Sequence, residues 1–288
     1  MYKVRDFNTP IPDCDDDNCI ILTCVIKNEY IMLDYFLKYY ASHGVTHFIF
    51  IDNESSDSSL IYLKNVNYNI LLFRTGESYK ENDYGTKWVR DILHTHCKNK
   101  WCVVLDADEI IYNDLSYLRD EMKKENANVC KFYLLDMYSK NPDKKYIKGQ
   151  PFLEHSDYYD RESDINNSLY DGVRKRTMDA TAYLGKVSFF KFNFCCCSYV
   201  CGGYHSIKSY DEHSCSNCIH YYSKTNILLH FKFIKPNLKE VFYQRVRNGQ
   251  DWDTSNTYQK YLSCPNYNFY HPTHSKHIYD NYPHFSFI

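Results

Sequence analysis

Trp101-Cys102-Val103-Val104-Leu105-Asp106-Ala107-Asp108-Glu109 is a β-rich apolar run that ends in two carboxylates with one residue between them. A run of this kind reads as a buried strand. Side chains alternate along an extended chain, so Asp106 and Asp108 are expected on the same side, where the strand leaves the core. Two carboxylates held together repel each other unless a cation sits between them. Hard oxygen ligands of this type suit Mg²⁺ or Mn²⁺ carrying a phosphate-bearing substrate. A bare Asp-x-Asp also occurs in ordinary acidic turns, so the sequence upstream decides its meaning.

Two further units upstream pass from strand to polar turn. Cys19 to Ile26 leads into Lys27-Asn28-Glu29, and His47 to Ile51 leads into Asp52-Asn53-Glu54-Ser55-Ser56-Asp57. Between them Ile31, Leu33, Phe36, Leu37 and Tyr40 recur at helical spacing over 30–42, with Gly44 as the stop. Residues 58–63 read as a short helix, 70–73 as a strand and 87–96 as a helix. Strands alternating with helices predict an α/β fold with a mostly parallel sheet covered on both faces. Ligands of such open sheets bind beyond the carboxyl ends of the strands. All three polar clusters fall at such ends.

The order Lys27-Asn28-Glu29, Asp52-Asn53-Glu54-Ser55-Ser56-Asp57 and Trp101 through Glu109 resembles the GT-A glycosyltransferases, most closely their family 2 and family 92 branches. The resemblance is close over 19–112. It continues more weakly through Gly172-Val173-Arg174-Lys175-Arg176, Lys186-Val187, Gly203-Tyr204-His205, Leu229-His230-Phe231-Lys232 and a later amphipathic helix with Lys239, Arg245 and Gly249.

The resemblance implies a GT-A, Rossmann-like sheet flanked by helices, with a C-terminal acceptor-side region. It places a nucleotide-sugar-binding half at 1–112, an acceptor-side half closing the metal site at 113–250, and a tail at 251–288. It implies Mn²⁺ or Mg²⁺ on Asp106 and Asp108, with His230 as a third ligand. Thr23, Lys27, Glu29, Asp52, Asn53, Lys87, Asp106, Ala107 and Lys232 become the nucleotide-sugar set. Asp52 would accept from the ribose or uracil edge, and Lys232 would meet the pyrophosphate from the same side as His230 on an extended 227–233 strand. Glu109 holds a ligand-bound water or caps the next segment. Without the resemblance, His230 reads equally as a buried strand histidine.

Composition agrees with an enzyme of this size. The chain has 288 residues, 44% hydrophobic and 17% aromatic, enough for a sizeable core. A net charge of −2 gives no polyelectrolyte signal, so no nucleic-acid partner is expected. No apolar run approaches the roughly 18–20 residues that span a bilayer, and the N-terminal residues carry no apolar signal region. The 30 tyrosines, with abundant Asn, Lys, Ile and Phe, have AT-rich codons. Together these features lead us to expect a cytoplasmic enzyme, in the host cytoplasm if the source is viral.

The odd count of 13 cysteines argues for reduced thiols. Cys215-x-x-Cys218 has zinc-ligand spacing that Cys201 or the Cys195-Cys196-Cys197 triplet, near His205, His213 and His220, could complete; loop cysteines in a reducing compartment are the alternative. His271, His274 and His277 lie in an Asn-, Pro- and Tyr-rich stretch that reads as a packed tail. Beyond 112, residues 115–124 read as a helix capped by Asn113 or Asp114, 129–135 as a strand, 139–182 as a functional loop shaping the acceptor site, 186–194 as a strand, and 237–247 as a helix after Pro236.

The expected function is transfer of a sugar from a nucleoside diphosphate donor, UDP-linked by resemblance, to a hydroxyl of a glycan or glycoconjugate, with inversion. Inversion needs a carboxylate base, for which Asp171 and Asp136 are the candidates. Arg174 and Arg176 either bind an acidic acceptor or donor phosphate or lie in solvent. The alternatives are an inactive glycan-binding or assembly protein on the same fold, and a metal-dependent phosphoesterase or nucleotidyl transferase. The latter two usually gather more metal ligands.

Overall fold

The computed structural model of the chain describes residues 1–11, 18–160, 172–193, 199–201, 205–208, 219–247, 256–264 and 267–281. In chain order its elements are β1 (Tyr2–Arg5), β2 (Ile20–Ile26), α1 (Tyr30–Ser42), β3 (His47–Asp52), α2 (Ser59–Asn65), β4 (Ile70–Arg74), α3 (Thr86–His96), β5 (Trp101–Val104), β6 (Glu109–Ile111), α4 (Leu115–Lys124) and β7 (Val129–Asp136). There follow α5 (Phe152–His155), β8 (Tyr158–Asp160), α6 (Val173–Met178), β9 (Gly185–Lys191), β10 (Tyr199–Cys201), β11 (Ser206–Lys208), β12 (Asn226–His230), α7 (Leu238–Arg247), α8 (Thr257–Ser263), β13 (Ser275–His277) and α9 (Ile278–Asn281). By packing, the chain divides into two units: Met1–Phe132 with Lys186–Asn226, and Tyr133–Gly185 with Ile227–Ile288. No described helix is long and apolar enough to cross a membrane.

The first unit is α/β, with a mostly parallel sheet ordered β1-β4-β3-β2-β5-β9. Strands β4, β3, β2 and β5 are parallel, while β1 and β9 pair antiparallel at either side. Strand β2 (Ile-Ile-Leu-Thr-Cys-Val-Ile) and β3 (His-Phe-Ile-Phe-Ile-Asp) are buried almost throughout, as β-branched and aromatic runs covered on both faces should be. Alternation sorts the two faces of β3. Ile49 and Ile51 join Val89, Ile92 and Leu93 of α3 in one core, and Phe50 meets Phe36 of α1 edge to face at 6.4 Å on the other.

Helix α1 stops where the sequence indicated. Val45 N–H bonds to Tyr40 C=O at 2.9 Å across Gly44, which has φ +98°, the left-handed closure that glycine supplies. A Cβ at Gly44 would also meet Ser116 Oγ at 2.5 Å. At α4, Asp114 is the cap, its carboxylate accepting from Tyr117 N–H at 2.8 Å.

In the second unit β7 and β12 are neighbours, and β8 pairs antiparallel with β13. The expected loop at 139–182 contains α5, β8 and α6 among its described residues. The expected tail supplies α8 and β13, and Tyr258, Tyr261 and Phe269 are buried in a core with Tyr138, Val173 and Phe242. Tyr138 donates to Asp160 at 2.5 Å and to Ser275 at 2.9 Å, tying β7's end to that strand pair.

Candidate active site

Three strand ends of the first unit converge because β2, β3 and β5 are parallel neighbours. The first two turns are stitched together. Asn28, with φ +59°, accepts Ser56 N–H at 2.7 Å and Asp57 N–H at 3.2 Å on its side-chain oxygen. In return Asn28 N–H donates to Ser55 Oγ at 2.9 Å, Glu29 N–H to Ser59 Oγ at 2.9 Å and Tyr30 N–H to Asp57 at 3.1 Å. Asparagine tolerates the left-handed conformation that this clasp requires.

The expected nucleotide-sugar residues divide by environment. Lys27 is exposed at the end of β2, whereas Glu29 is buried. Asp52 is fully buried: it accepts from Ser55 N–H at 3.2 and 3.3 Å and lies 3.5 Å from Arg74 Nε. Asn53 donates to Thr75 C=O at 3.2 Å and Glu77 C=O at 3.1 Å. Both side chains therefore shape the turn from within. Thr23 is buried in mid-strand opposite Ile49 and Val104, and its hydroxyl has no hydrogen-bond partner among the described residues. Lys87 is exposed in the first turn of α3 and donates to Glu81 C=O at 2.6 Å.

Asp106 and Asp108 lie in a turn rather than on an extended strand, so alternation does not govern them. Glu109 N–H donates to Asp106 C=O at 3.1 Å, and Asp106 N–H donates to Glu109 Oε2 at 3.0 Å, closing 106–109 on itself. The α1 residue Tyr40 steadies the next strand, donating to Glu109 C=O at 3.0 Å and accepting Ile111 N–H at 2.9 Å. Ala107 and Asp108 are buried, and the Asp106 side chain is 46% exposed.

The cation found among these carboxylates is Lys186, at the start of β9. Its ammonium donates to both Glu109 oxygens, 2.6 Å to Oε2, and to Asp106 Oδ2 at 3.3 Å. Burial works against its charge, but Asp106 and Glu109 outweigh it and hold the ammonium above the usual lysine range. The Glu109 carboxylate thus closes its own turn onto Asp106 N–H and pairs with Lys186, rather than capping the segment that follows. Among the described residues no three His, Cys, Asp or Glu side chains are gathered to hold a metal. Asp106 and Asp108 nevertheless suit Mg²⁺ or Mn²⁺ in the manner of sites that use one or two carboxylates and take their other ligands from substrate phosphates and water.

The second unit brings Asp136, Arg174 and His230 together. Arg174 Nε donates to Asp136 Oδ2 at 2.6 Å, and His230 Nδ1 lies 2.7 Å from Asp136 Oδ1. Burial pushes the Asp136 carboxyl up, yet Arg174 and His230 outweigh it and hold it below the ordinary range. A carboxylate engaged on both oxygens and held acidic is a weak proton acceptor, so Asp136 is placed as an anchor rather than as the expected base. The other candidate base, Asp171, lies outside the described residues.

Strand β12 ends at His230, and a turn closed by Ile234 N–H to Phe231 C=O at 3.1 Å follows. Lys232 is therefore not on the expected strand. Its ammonium lies 5.5 and 5.6 Å from the ring centres of Tyr258 and Tyr261. Arg176 is engaged as well, donating to both oxygens of Asp160 and to Phe269 C=O at 2.6 Å. Neither arginine lies in solvent. His277 pairs with Asp157 at 3.0 Å, as a packed C-terminal segment should. Cys195, Cys196, Cys197, His213, Cys215 and Cys218 of the expected zinc cluster lie outside the described residues.

Sequence reasoning missed Lys186 and Tyr40 as site residues. A signal for Lys186 existed: it opens the apolar run Val187-Ser188-Phe189-Phe190, and a lysine entering a buried strand needs a carboxylate.

No protein-family model matches the chain, and no curated protein matches it. Among solved structures it is similar to TarS 1-349 of S. aureus, with 12% identity, 84% of this chain and 68% of that chain covered, and a TM-score of 0.36. A CMP:2-keto-3-deoxy-manno-octonic acid synthetase complexed with CTP gives 11% identity, 60% and 74% coverage, and a TM-score of 0.31. A putative glucose-1-phosphate thymidylyltransferase from Bacillus anthracis in complex with a sucrose gives 10% identity over 44% of this chain, with a TM-score of 0.28. The chain spans 57% of that protein's length. Likenesses this weak carry no functional argument, and the α/β assignment rests on the sheet itself.

Proposed function

We propose that the chain is a GT-A-type glycosyltransferase that moves a sugar from a nucleoside diphosphate donor, UDP-linked, onto an acceptor hydroxyl with inversion and with Mn²⁺ or Mg²⁺. The observation that carries this reading is the self-closed Asp106–Glu109 turn at the carboxyl end of a parallel strand, beside the clasped turns at Lys27–Glu29 and Asp52–Asp57. Ligands of open parallel sheets bind at such ends.

A cation on Asp106 and Asp108 would offset the charge that builds on the leaving diphosphate. The chain's own groups do the rest. Glu109, Lys186 and Tyr40 fix the turn, and the Asn28 clasp fixes the neighbouring turns relative to each other. Lys27 and Lys232 are the cations proposed for donor groups. His230 is proposed as an imidazole ligand, because its Nδ1 contact with Asp136 is the carboxylate–imidazole pairing that orients metal-binding histidines. His230→Ala should raise the Mn²⁺ concentration needed for half-maximal turnover by about 10–100-fold while the protein still melts cooperatively. An unchanged Mn²⁺ requirement removes His230 from the site.

The deciding experiment incubates the protein with Mn²⁺ and a panel of nucleotide sugars. Release of nucleoside diphosphate from a UDP-sugar is the expected result. Binding without release favours the inactive glycan-binding alternative, and release of monophosphate or pyrophosphate favours phosphoesterase or nucleotidyl-transfer chemistry.

A further inference from the structure

The Asp106 turn carries three carboxylates within four residues, and the Lys186 ammonium answers two of them, Asp106 and Glu109. Strands β5 and β9 pair antiparallel with Trp101 opposite Lys191 and Val103 opposite Phe189. That antiparallel course runs β9's first residues alongside the turn that follows β5, and the Lys186 ammonium reaches Asp106 and Glu109 there. The Lys186 and Glu109 side chains are 3% and 2% exposed, so both charges are buried and answer each other.

The consequence for Glu109 is complete engagement. Its carboxylate takes the Lys186 ammonium and Asp106 N–H, its C=O takes Tyr40 Oη, and its N–H goes to Asp106 C=O. Lys186 touches Asp106 on one oxygen only, and that side chain keeps much of its surface.

We infer that Lys186 is a positioning residue for the cation site: it locks Glu109 out of the donor set and holds the Asp106 turn, leaving Asp106 and Asp108 as the two ligands presented to the metal. This rests on the glycosyltransferase reading for the metal, and on geometry alone for the turn. Lys186 does not touch the donor. It acts through Asp106 and Glu109.

The test reads two quantities that need no turnover. Mn²⁺ binding in the presence of UDP is followed by the electron paramagnetic resonance of free Mn²⁺, and exchange of the Asp106 amide is followed by hydrogen–deuterium exchange. Lys186→Met should weaken Mn²⁺ binding at least ~10-fold and speed Asp106 exchange by a similar factor, and Lys186→Arg should recover most of both. Because Lys186→Met leaves buried carboxylates unanswered and can fail to fold, Lys186→Met combined with Glu109→Gln is measured beside it, with the same losses expected. A folded variant with wild-type Mn²⁺ affinity and wild-type Asp106 exchange overturns the inference. If the wild-type protein binds no Mn²⁺, the metal in the proposed function fails, and Asp106 exchange alone decides whether Lys186 holds the turn.

Discussion

Arg174→Leu should destabilise the protein by about 3–5 kcal/mol, the usual cost of removing one partner from a buried ion pair. The Arg174 and Asp136 side chains are 10% and 3% exposed, and their bond is 2.6 Å. Without the guanidinium, Asp136 keeps His230, at 2.7 Å, as its side-chain partner among the described residues. The pH dependence has a defined sign. In the wild type, burial is outweighed by Arg174 and His230, so the folded carboxyl titrates below its unfolded value of about 3.9. Its contribution is present above that value and lost as pH falls through the folded one. In Arg174→Leu, burial regains the upper hand and Asp136 costs stability when ionised. The difference between the two proteins should therefore be largest near neutrality and shrink as pH falls towards about 4. Urea unfolding at a series of pH values measures it. A loss under about 1 kcal/mol at neutral pH would show that water screens the pair.

Asp108→Asn should abolish most of the gain in UDP affinity that Mn²⁺ confers, a loss of about 10-fold or more. The amide is nearly isosteric, so the turn closed by Asp106 and Glu109 should persist. What is lost is a charged oxygen ligand, and an amide is a poor substitute for a hard cation. Calorimetry with and without Mn²⁺ makes the comparison. Equal UDP affinity in the wild type under both conditions would show that no cation bridges protein and diphosphate.

The parallel core was legible because its strands are long, apolar and punctuated. Ile20–Ile26 and His47–Asp52 stand out by composition, and α1 by its helical spacing and Gly44. The short strands were not legible. Tyr2-Lys3-Val4-Arg5 alternates apolar and charged residues and pairs only at its β4 edge, and Glu109–Ile111 and Tyr158–Asp160 are too short for any period to show. At the candidate site, the turns themselves could be read from local residue order. Their internal wiring could not. Asp136, Arg174 and His230 are joined across 38 and 94 residues of sequence, and only pairing of β7 with β12 brings the last of these together. Lys232 was misplaced because nothing local announces that β12 stops at His230.

The order in which the chain is made gives the Lys186 contact a further meaning. Glu109 leaves the ribosome 77 residues before its ammonium partner. At roughly 5–20 residues per second, that is an interval of roughly 4–15 s. Throughout it the nascent parallel strands have no β9 along β5, and the Asp106 turn has no counter-charge to bury. A carboxylate in that position favours water over the core, so the first unit's sheet is held open at one margin until the second unit's first segment has been synthesised. Completion of the turn is thereby a late event in biogenesis, and a chain truncated before residue 186 should expose its β5 margin to chaperones or to other copies of itself.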